Sequence, residues 1–593
     1  MKELEYPFDS AYILKKKKSL KKELLSQNTK FLEKKIAVLG GSTTNDIVLM
    51  LDLFLLNYGI KAEFYESEYN QYYQDAMFDP EELKEFKPDL IFIHTSNRNI
   101  RNYPEIPDSA EVVDAKYEEC LSEFTAMWDH LEETYHCPII QNNFEMPVFR
   151  YLGNADFTDF HGYVNFINRL NMGFAEYAGS HNNFYIHDIN YLSATYGLDK
   201  WSDPFYWHMY KYAVCVPAIP EFAFSLSHII KAIYGKNKKA FVLDLDNTLW
   251  GGIVGDDGPE NLEIGMETSY GQAYTEFQSY IKHHKDMGIL LNVSSKNEEE
   301  NALAGLNHPD GVLKPEDFIL IKANWEPKSL NTVTIAKELN IGEDSLVFVD
   351  DNPAEREIIK TQIPAVAVPA VSTVDQYIKE IDKQGYFEVL HLSKDDLSRN
   401  SMYKANIQRA ETMKAFSDYG EYLKSLEMKA VIKAFEPVYM SRIAQLTNKS
   451  NQFNLTTKRY SQGEIEEAAA DASRVTFYGK LEDKFGDNGV VTVAIGHVEE
   501  KICHMELWLM SCRVLKRDME LALLDEVVHK CQELSVEEIR GYYYPTAKNA
   551  MVKEFYGTLG FDKISEDAEG NSVWSFKVNK EYVNKNKFID VVR

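Results

Sequence analysis

Cysteine and long apolar runs are both scarce in this chain. Its 593 residues include only six cysteines, at positions 120, 137, 215, 503, 512 and 531, and none of them forms a C-x-x-C pair. We expect no membrane span, which needs a run of about 18 apolar residues, and the N-terminus lacks the apolar segment of a signal peptide. The pattern favours a cytoplasmic protein with reduced thiols over a disulfide-stapled secreted one.

Basic residues are outnumbered by acidic ones. The chain has 64 Lys and Arg residues against 92 Asp and Glu residues, which gives a formal net charge of −28 and a pI near 5.0. Nucleic acids and anionic membranes bind basic surfaces, so we expect neither as a partner. The basic stretch KKKKSLKK at 15–22 lies in a polar N-terminal lead that we expect to be helical.

The most informative motif is FVLDLDNTL at residues 241–249. It predicts a buried strand that ends in Asp244 and Asp246, and residues two apart in a strand point the same way. Two carboxylates in one small volume repel each other unless one is protonated or a divalent cation lies between them. An acidic turn after a strand is the alternative for an isolated pair, and the downstream motifs decide against it.

Polar clusters follow apolar runs at three further places. ILLNV (289–293) is followed by SSKN (294–297), Lys328 in NWEPKSLN (324–331) opens an amphipathic segment, and SLVFV (345–349) ends in Asp350 and Asp351. Ligands of open parallel sheets bind beyond the carboxyl ends of the strands. These carboxylates, hydroxyls and lysine are therefore expected to meet in one crevice that binds a small phosphorylated substrate.

This set of motifs resembles the haloacid dehalogenase (HAD) superfamily of phosphotransferases, whose domain is a Rossmann-like α/β fold. The resemblance implies Asp244 as the nucleophile that forms an aspartyl-phosphate and Asp246 as the general acid/base. It implies a phosphate-binding set of Thr248, Ser295 and Lys328. The implied Mg2+ ligands are Asp244, Asp246 through its backbone carbonyl, Asp351 and the neighbouring Asp350.

The intervals between these motifs are too short for a lid domain. About fifty residues separate Asp246 from Ser295, and they hold the turn-rich GGIVGDDGPENLEIG (251–265) and one helix expected at about 270–287. A domain needs at least ~50 residues of its own. The predicted site is therefore capless, open to a large substrate such as an acyl group on a carrier protein, or closed by a flanking domain.

Residues 35–236 predict a separate α/β domain. KIAVLGGST (35–43) predicts a strand that runs into a glycine turn, and PDLIFIHTSNRN (88–99) predicts a second strand. The pattern resembles the flavodoxin-like SGNH hydrolase fold and implies an exposed nucleophile, Ser42, with Asp203 and His208 in DPFYWH, at a longer spacing than the family's D-x-x-H. The alternative that we favour is Ser42 as a helix N-cap. Asn97 and Asn142 are oxyanion donors or turn residues, and we favour turns.

Residues 428–593 predict a third domain. It follows a charged segment, at about 372–425, whose sequence has helical periodicity. The domain's order of strand, arginine-bearing turn, helix, strand and a helix ending in Gly-Phe resembles a GNAT-type acyltransferase, an α+β fold. The resemblance implies coenzyme A or phosphopantetheine as a ligand, near Arg513, Asn549 and Tyr556. The usual turn R-x-x-G-x-G/A receives a pyrophosphate on bare backbone amides, but RVLKRD (513–518) fills both glycine positions, one of them with Asp518. A carrier-protein dock and a purely structural domain are the alternatives.

Together, NWEPK, VFVDDNPAERE, NQFNLTTKRY, FGDNG, LMSCR and PTAKN resemble the FkbH-like proteins over about residues 35–565. The implied organisation is a helical lead (1–34), an SGNH-like α/β domain (35–236), a capless HAD-like domain (237–370), a helical linker (371–427) and a GNAT-like domain (428–593). The implied activity passes a glyceryl group from a phosphorylated three-carbon donor to an acyl carrier protein. In loading members a cysteine precedes the Ser-Lys-Asn sequence, and Ser294, a weaker nucleophile, stands there in this chain.

Two functions follow from these patterns. The first is an Mg2+-dependent phosphohydrolase or phosphotransferase that acts on a phosphorylated acyl or sugar-related metabolite in a biosynthetic pathway. The second is an acyl-loading transferase in which the phosphatase chemistry is subordinate.

Overall fold

The computed structural model describes residues 1–26, 31–450, 452–546 and 548–592. Residues 27–30 of the expected N-terminal lead, and Asn451 at the start of NQFNLTTKRY, lie outside the described residues. The chain divides into two compact units, residues 1–236 with 388–391 and residues 237–387 with 392–593. The five cysteines whose side chains are described are all free thiols, as expected: Cys120, Cys137, Cys215, Cys503 and Cys531. The side chain of Cys512 lies outside the description.

A parallel sheet of five strands forms the core of the first unit. Its strands are β1 (Leu32–Gly40), β2 (Ile60–Glu66), β3 (Leu90–His94), β4 (Ile139–Asn142) and β5 (Phe184–His187). Its helices are α1 (Ser10–Ser26), α2 (Asn45–Asn57), α3 (Tyr72–Phe78), α4 (Glu81–Phe86), α5 (Ala110–Tyr135), α6 (Tyr163–Ser180), α7 (Ile189–Tyr196), α8 (Leu198–Trp201), α9 (Pro204–Tyr210) and α10 (Ile219–Ile233). The strand order β2-β1-β3-β4-β5 is that of a doubly wound, flavodoxin-like sheet.

Helix α10 is the most apolar long helix stretch that the described residues contain. The stretch Val216–Ile233 is long and apolar enough, by length and composition, to cross a membrane, and 72% of it is buried inside the structure. Phe222, Leu226 and Ile230 on this helix are fully buried, in one cluster with the residues of α2 and β1. A core helix passes the same composition test, and the burial of this one agrees with that role.

A parallel sheet of four strands opens the second unit. Its strands are β6 (Ala240–Leu243), β7 (Leu290–Ser295), β8 (Leu320–Ala323) and β9 (Leu346–Val349), in the order β8-β7-β6-β9. Its helices are α11 (Val254–Asp257), α12 (Ser269–Asp286), α13 (Glu299–Leu306), α14 (Lys328–Glu338), α15 (Pro353–Gln362) and α16 (Val374–Asp382). Phe241 of β6 pairs with Leu291 of β7 and with Val347 of β9, so the carboxyl ends of these strands lie at one edge. The sheet confirms the α/β class predicted for this region.

Three helices connect the four-stranded sheet to a mixed sheet of eight strands. They are α17 (Lys394–Leu397), α18 (Arg399–Met413) and α19 (Tyr419–Ser425). The mixed sheet and its helices are β10 (Met428–Lys433), α20 (Pro437–Lys449), α21 (Gln462–Ala470), β11 (Arg474–Asp483), β12 (Gly486–Glu499), β13 (Ile502–Met510), α22 (Met519–Glu533), β14 (Glu538–Tyr543), α23 (Phe555–Thr558), β15 (Asp562–Glu566), β16 (Ser572–Lys577) and β17 (Ile589–Val592). The strand order is β15-β16-β14-β13-β12-β11-β10-β17.

Candidate active site

The four-stranded sheet brings the predicted carboxylates, hydroxyl and lysine together at its carboxyl edge. Asp244 directly follows β6, Ser295 ends β7, and Asp350 directly follows β9. Lys328 opens α14, and its Nζ lies 2.8 Å from Oδ2 of Asp244 and 2.6 Å from Oδ2 of Asp350. One ammonium group therefore bridges two carboxylates that the sequence places about a hundred residues apart.

The charges of Lys328, Asp244 and Asp350 interact strongly because their side chains are buried. The side chains of Lys328, Asp244 and Asp350 are only 5%, 8% and 0% exposed. Burial, with the nearby charge of Asp244, raises the pKa of the Asp350 carboxyl to about 6. Burial alone would lower the pKa of Lys328, but the two carboxylates raise it above its ordinary value, so the lysine stays charged.

A third carboxylate leaves the site short of positive charge. One oxygen from each of Asp244, Asp350 and Asp351 lies within 4.8 Å of the others. Burial and the charge of Asp244 also raise the pKa of Asp351. Lys328 neutralises only one of three negative charges, and carboxylate oxygens are the ligands that Mg2+ prefers. The residues present therefore fit a Mg2+ ion.

Asp246 is held by three hydrogen-bond donors. Its Oδ1 accepts from Nε1 of Trp250 (3.0 Å) and from the backbone N–H of Val254 (3.1 Å), and its Oδ2 accepts from Nδ2 of Asn297 (2.8 Å). Trp250 directly precedes the turn-rich segment 251–265 and Val254 belongs to it, and this segment is closed by an antiparallel bridge between Gly251 and Glu263. This segment fixes the carboxylate of Asp246.

Thr248 joins the ends of β6 and β9. It is fully buried, and its Oγ1 accepts a hydrogen bond from the backbone N–H of Asp351 at 3.1 Å. Asn247 precedes it with a φ of 54°, a left-handed conformation that asparagine tolerates. The structure thus places Thr248 where it sets the position of Asp351, in addition to the phosphate-binding role that the resemblance implies.

Two further residues hold this site: Arg356, which the sequence did not single out, and Asn297, which it offered only as one of the polar donors in SSKN (294–297). Nη1 of Arg356 donates to the backbone carbonyls of Asp350 (2.6 Å) and Asp351 (2.7 Å). Asn297 contacts both Asp246 and Ser295. Asn297 could have been found from its position just after the end of β7. Arg356 could have been found from its position in the first turns of α15, the helix that follows Asp350 and Asp351.

Large apolar side chains are exposed on the loops around this edge. Met266 and Trp325 are 71% and 68% exposed, and Ile253 is 44% exposed. Nε1 of Trp325 donates to Oε1 of Glu298 at 2.6 Å, which joins the loop after β8 to the loop after β7. Between β6 and β7 the chain forms only the turn-rich segment and α12, so no lid domain is inserted there.

The triad implied for the first unit is not formed. Ser42 is 2% exposed, so it is not the exposed nucleophile expected, and its Oγ has no hydrogen-bond partner among the described residues. Asp203 caps α9 by accepting the backbone N–H of Phe205 at 2.8 Å, and His208 is exposed on that helix. No hydrogen bond joins the three side chains in the part of the chain that the structure describes.

Two other expectations for the first unit were wrong. The N-cap of α2 is Thr44, so Ser42 does not cap this helix. Asn142 is the last residue of β4 rather than a turn residue, and it bonds to Nδ1 of His94 (2.8 Å) and Nδ1 of His187 (2.9 Å). Asn97 does lie in a short 3-10 turn, as favoured.

The arginine-bearing turn before α22 does not fit a pyrophosphate. Nη1 of Arg517 lies 3.0 Å from Oδ2 of Asp483, and its Nη2 donates to Oδ1 of Asn406 on α18 at 2.7 Å. Arg513 donates to Oγ of Ser511 and contacts Met402 of α18. Both arginines of this turn therefore already contact other groups of the chain, and Asp518 adds a negative charge.

β13 and β14 separate beyond Met505 and Gly541, and the segment around Leu455 fills the gap between them. β13 and β14 pair only from Ile502–Glu538 to Met505–Gly541. Beyond that point Leu455 donates its N–H to the Trp508 carbonyl (3.1 Å), and Tyr544 donates to the Leu455 carbonyl (2.9 Å). A ligand that bound between β13 and β14 would have to displace the segment around Leu455.

The other two residues of the implied acyl site support the same region. Nδ2 of Asn549 donates to the carbonyl of Asn454 at 3.0 Å, which secures the inserted segment. Tyr556 is 1% exposed and its ring packs on Gly541, where a Cβ would come within 2.5 Å of it. Asn549 is thus bound within the chain, and Tyr556 is buried, so neither is exposed to bind coenzyme A.

Comparison with known proteins supports the site in the four-stranded sheet. The family model of the FkbH N-terminal domain matches residues 35–231. The solved N-terminal part of the protein BF1531 from Bacteroides fragilis, which contains a phosphatase domain and is complexed with Mg, is 30% identical and has a TM-score of 0.58. The match covers 63% of this chain and 99% of that one. The search of curated proteins gives no match.

Solved acetyltransferases also match part of the chain. Ard1 from Thermoplasma volcanium is 17% identical over 26% of this chain and 99% of its own, with a TM-score of 0.21. A GNAT-family acetyltransferase from Staphylococcus aureus is 13% identical over 25% of this chain and 99% of its own, with a TM-score of 0.20. Scores this low do not bear on fold or function here.

The fold and the site define a phosphatase domain of the HAD type. Its parallel sheet carries two aspartates after β6, a serine at the end of β7, a lysine at the start of α14 and two aspartates after β9. With the family match and the 30% identical structure, the chain belongs to the FkbH-like proteins that contain such a domain.

Proposed function

We propose that the protein is an Mg2+-dependent phosphohydrolase or phosphotransferase that forms an aspartyl-phosphate on Asp244. The observation that carries the proposal is the position of Lys328, whose ammonium group lies between Asp244 and Asp350 in a buried site with a third carboxylate. A bound Mg2+ would supply charge neutralisation and polarise a phosphoryl oxygen. Asp244, Asp350 and Asp351 would hold it, with the Asp246 carbonyl implied by the resemblance.

The side chains have distinct tasks in this reaction. A carboxylate oxygen of Asp244 bonds to phosphorus as the bond from phosphorus to the leaving oxygen breaks, and Asp246 gives that oxygen a proton. Water then attacks the phosphorus, Asp246 takes its proton, and the bond from Asp244 to phosphorus breaks. Lys328 and the Ser295 hydroxyl bind the transferring oxygens, which is where most of the stabilisation arises.

The substrate proposed is a phosphorylated small acyl or sugar-related metabolite. Its support is the exposed apolar side chain of Trp325, which is bonded to Glu298 in the loop after β7 and offers contact to an organic group. The absence of an inserted lid between β6 and β7 leaves room for a substrate larger than a free phosphate ester.

Replacement of Asp244 by Asn tests this proposal. The variant keeps the shape of the side chain but loses the nucleophile, so hydrolysis of generic phosphate esters should fall by on the order of 10³ or more. Asp286→Asn, at the exposed end of α12, is the matched control and should keep the parent rate. Equal turnover by Asp244→Asn and the parent would refute the proposal.

The alternative is the transfer of a glyceryl group to an acyl carrier protein. The match to the FkbH N-terminal domain favours it, while Ser294, where loading members have cysteine, and the filled opening of the eight-stranded sheet weigh against it. Incubation with a holo carrier protein and 1,3-bisphosphoglycerate, followed by mass spectrometry of the carrier, separates the two functions. No gain in carrier mass would exclude loading from this donor.

A further inference from the structure

Asn297 is a buried amide between the phosphate-binding hydroxyl and the acid/base carboxylate. Its side chain lies at the end of β7, and the residue is 4% exposed. Nδ2 is 2.8 Å from Oδ2 of Asp246 and 3.2 Å from Oγ of Ser295. One amide group therefore contacts both parts of the machinery proposed above.

The chemistry of the contacts fixes the direction of both hydrogen bonds. An ionised carboxylate only accepts hydrogen bonds, so the group that faces Asp246 is the NH2 of Asn297. The same NH2 also donates to Oγ of Ser295. Because the Ser295 oxygen accepts this bond, its own O–H is left to donate to another acceptor, such as a phosphoryl oxygen.

The amide of Asn297 also occupies one of the hydrogen-bond acceptor positions of Asp246. A carboxylate has about four lone-pair sites. Trp250, Val254 and Asn297 occupy three of them, at 3.0, 3.1 and 2.8 Å. A single acceptor position then remains on Asp246 for the proton that is passed to or from the reacting oxygen.

We propose that Asn297 is a positioning residue that orients Ser295 for phosphate binding and Asp246 for proton transfer. The inference rests on the proposed function. Hydrogen bonds to charged groups are among the stronger ones in proteins, so loss of the bond to Asp246 should lower kcat by about 10- to 100-fold.

Two substitutions separate this role from simple packing. Asn297→Ala removes the donor and leaves a small void, whereas Asn297→Asp keeps the shape but replaces the donor by a negatively charged acceptor next to Asp246. If positioning is the role, Asn297→Asp is the slower of the two enzymes; if packing is the role, it is the faster. Asn301→Ala, four residues further on and without a bond to Asp246 or Ser295, is the control and should keep the parent rate.

The measurements are kcat and KM with a generic phosphate ester, and calorimetric binding of inorganic phosphate. We expect weaker phosphate binding in both Asn297 variants, which needs no turnover, and thermal unfolding confirms that each variant is folded. Asn297→Asp at least as active as Asn297→Ala, or a loss below about threefold in Asn297→Ala, would overturn the inference. Failure of the proposed function is recognised separately, by activity that survives Asp244→Asn.

Discussion

Replacement of Lys328 by Met should destabilise the metal-free protein strongly and make its stability depend on Mg2+. Nζ of Lys328 lies 2.8 Å from Asp244 and 2.6 Å from Asp350, and all three side chains are at least nine-tenths buried. At an effective dielectric constant of about 20, each contact is worth about 6 kcal/mol before the cost of desolvation. Removing one partner of such a buried group costs about 3–5 kcal/mol, because the other charges stay behind unpaired.

Methionine keeps the volume of lysine but carries no charge, so it leaves Asp244 and Asp350 without the ammonium group that bridges them. We expect the free energy of unfolding to fall by about 3–5 kcal/mol in chelator at neutral pH. Excess Mg2+ should recover a larger part of the loss in the variant than it adds to the parent, because the ion replaces the missing charge. Urea unfolding with and without Mg2+ measures both effects.

Lys322→Met is the matched control for this experiment. Lys322 lies on β8, the strand that precedes Lys328, and forms a partly exposed pair with Glu338 at 2.7 Å. Its loss should cost less than about 1 kcal/mol, with no dependence on Mg2+. Equal destabilisation by the two substitutions, or equal stabilisation of the parent and Lys328→Met by Mg2+, would refute the reasoning.

Three further predictions follow from other parts of the structure. Burial lowers the pKa of His94 to about 4 and that of His187 to about 3, so both side chains are neutral in the folded protein. Their contribution to the free energy of unfolding is fully present above pH 6.5 and is lost as the pH falls. At about pH 5 the unfolding free energy of the first unit should be lower than at neutral pH by about 2 kcal/mol per histidine, and His94→Phe should remove about half of this loss in urea unfolding. Calorimetry should show no binding of coenzyme A. Arg517→Ala should instead lower the unfolding free energy of the second unit by about 2 kcal/mol or more, because Asp483 loses a buried partner. Tight binding of coenzyme A that Arg517→Ala abolishes would contradict this prediction. Asp351→Asn should weaken calorimetric Mg2+ binding at least about tenfold, because one of three clustered carboxylates becomes neutral; unchanged affinity would remove Asp351 from the metal site.

The sequence by itself determined the site in the four-stranded sheet. Each of its polar groups stands directly after an apolar run or at the start of a helix, and parallel strands bring their carboxyl ends to one edge whatever the length of the intervening chain. The positions of Asp244, Ser295, Lys328 and Asp350 could therefore be predicted from local patterns. The α/β class of this region followed from the same patterns.

Only the tertiary structure decided which of the other polar residues are free to act. Arg517 lies in a motif that predicts anion binding, but its guanidinium is bound to Asp483 and Asn406, which are distant in sequence. Ser42 follows a strand and two glycines, as an exposed nucleophile would, yet it is buried. Asn297 gains its importance from a contact with Asp246, across another strand. Local patterns record which groups a residue offers, whereas the partners that occupy those groups come from packing between distant segments.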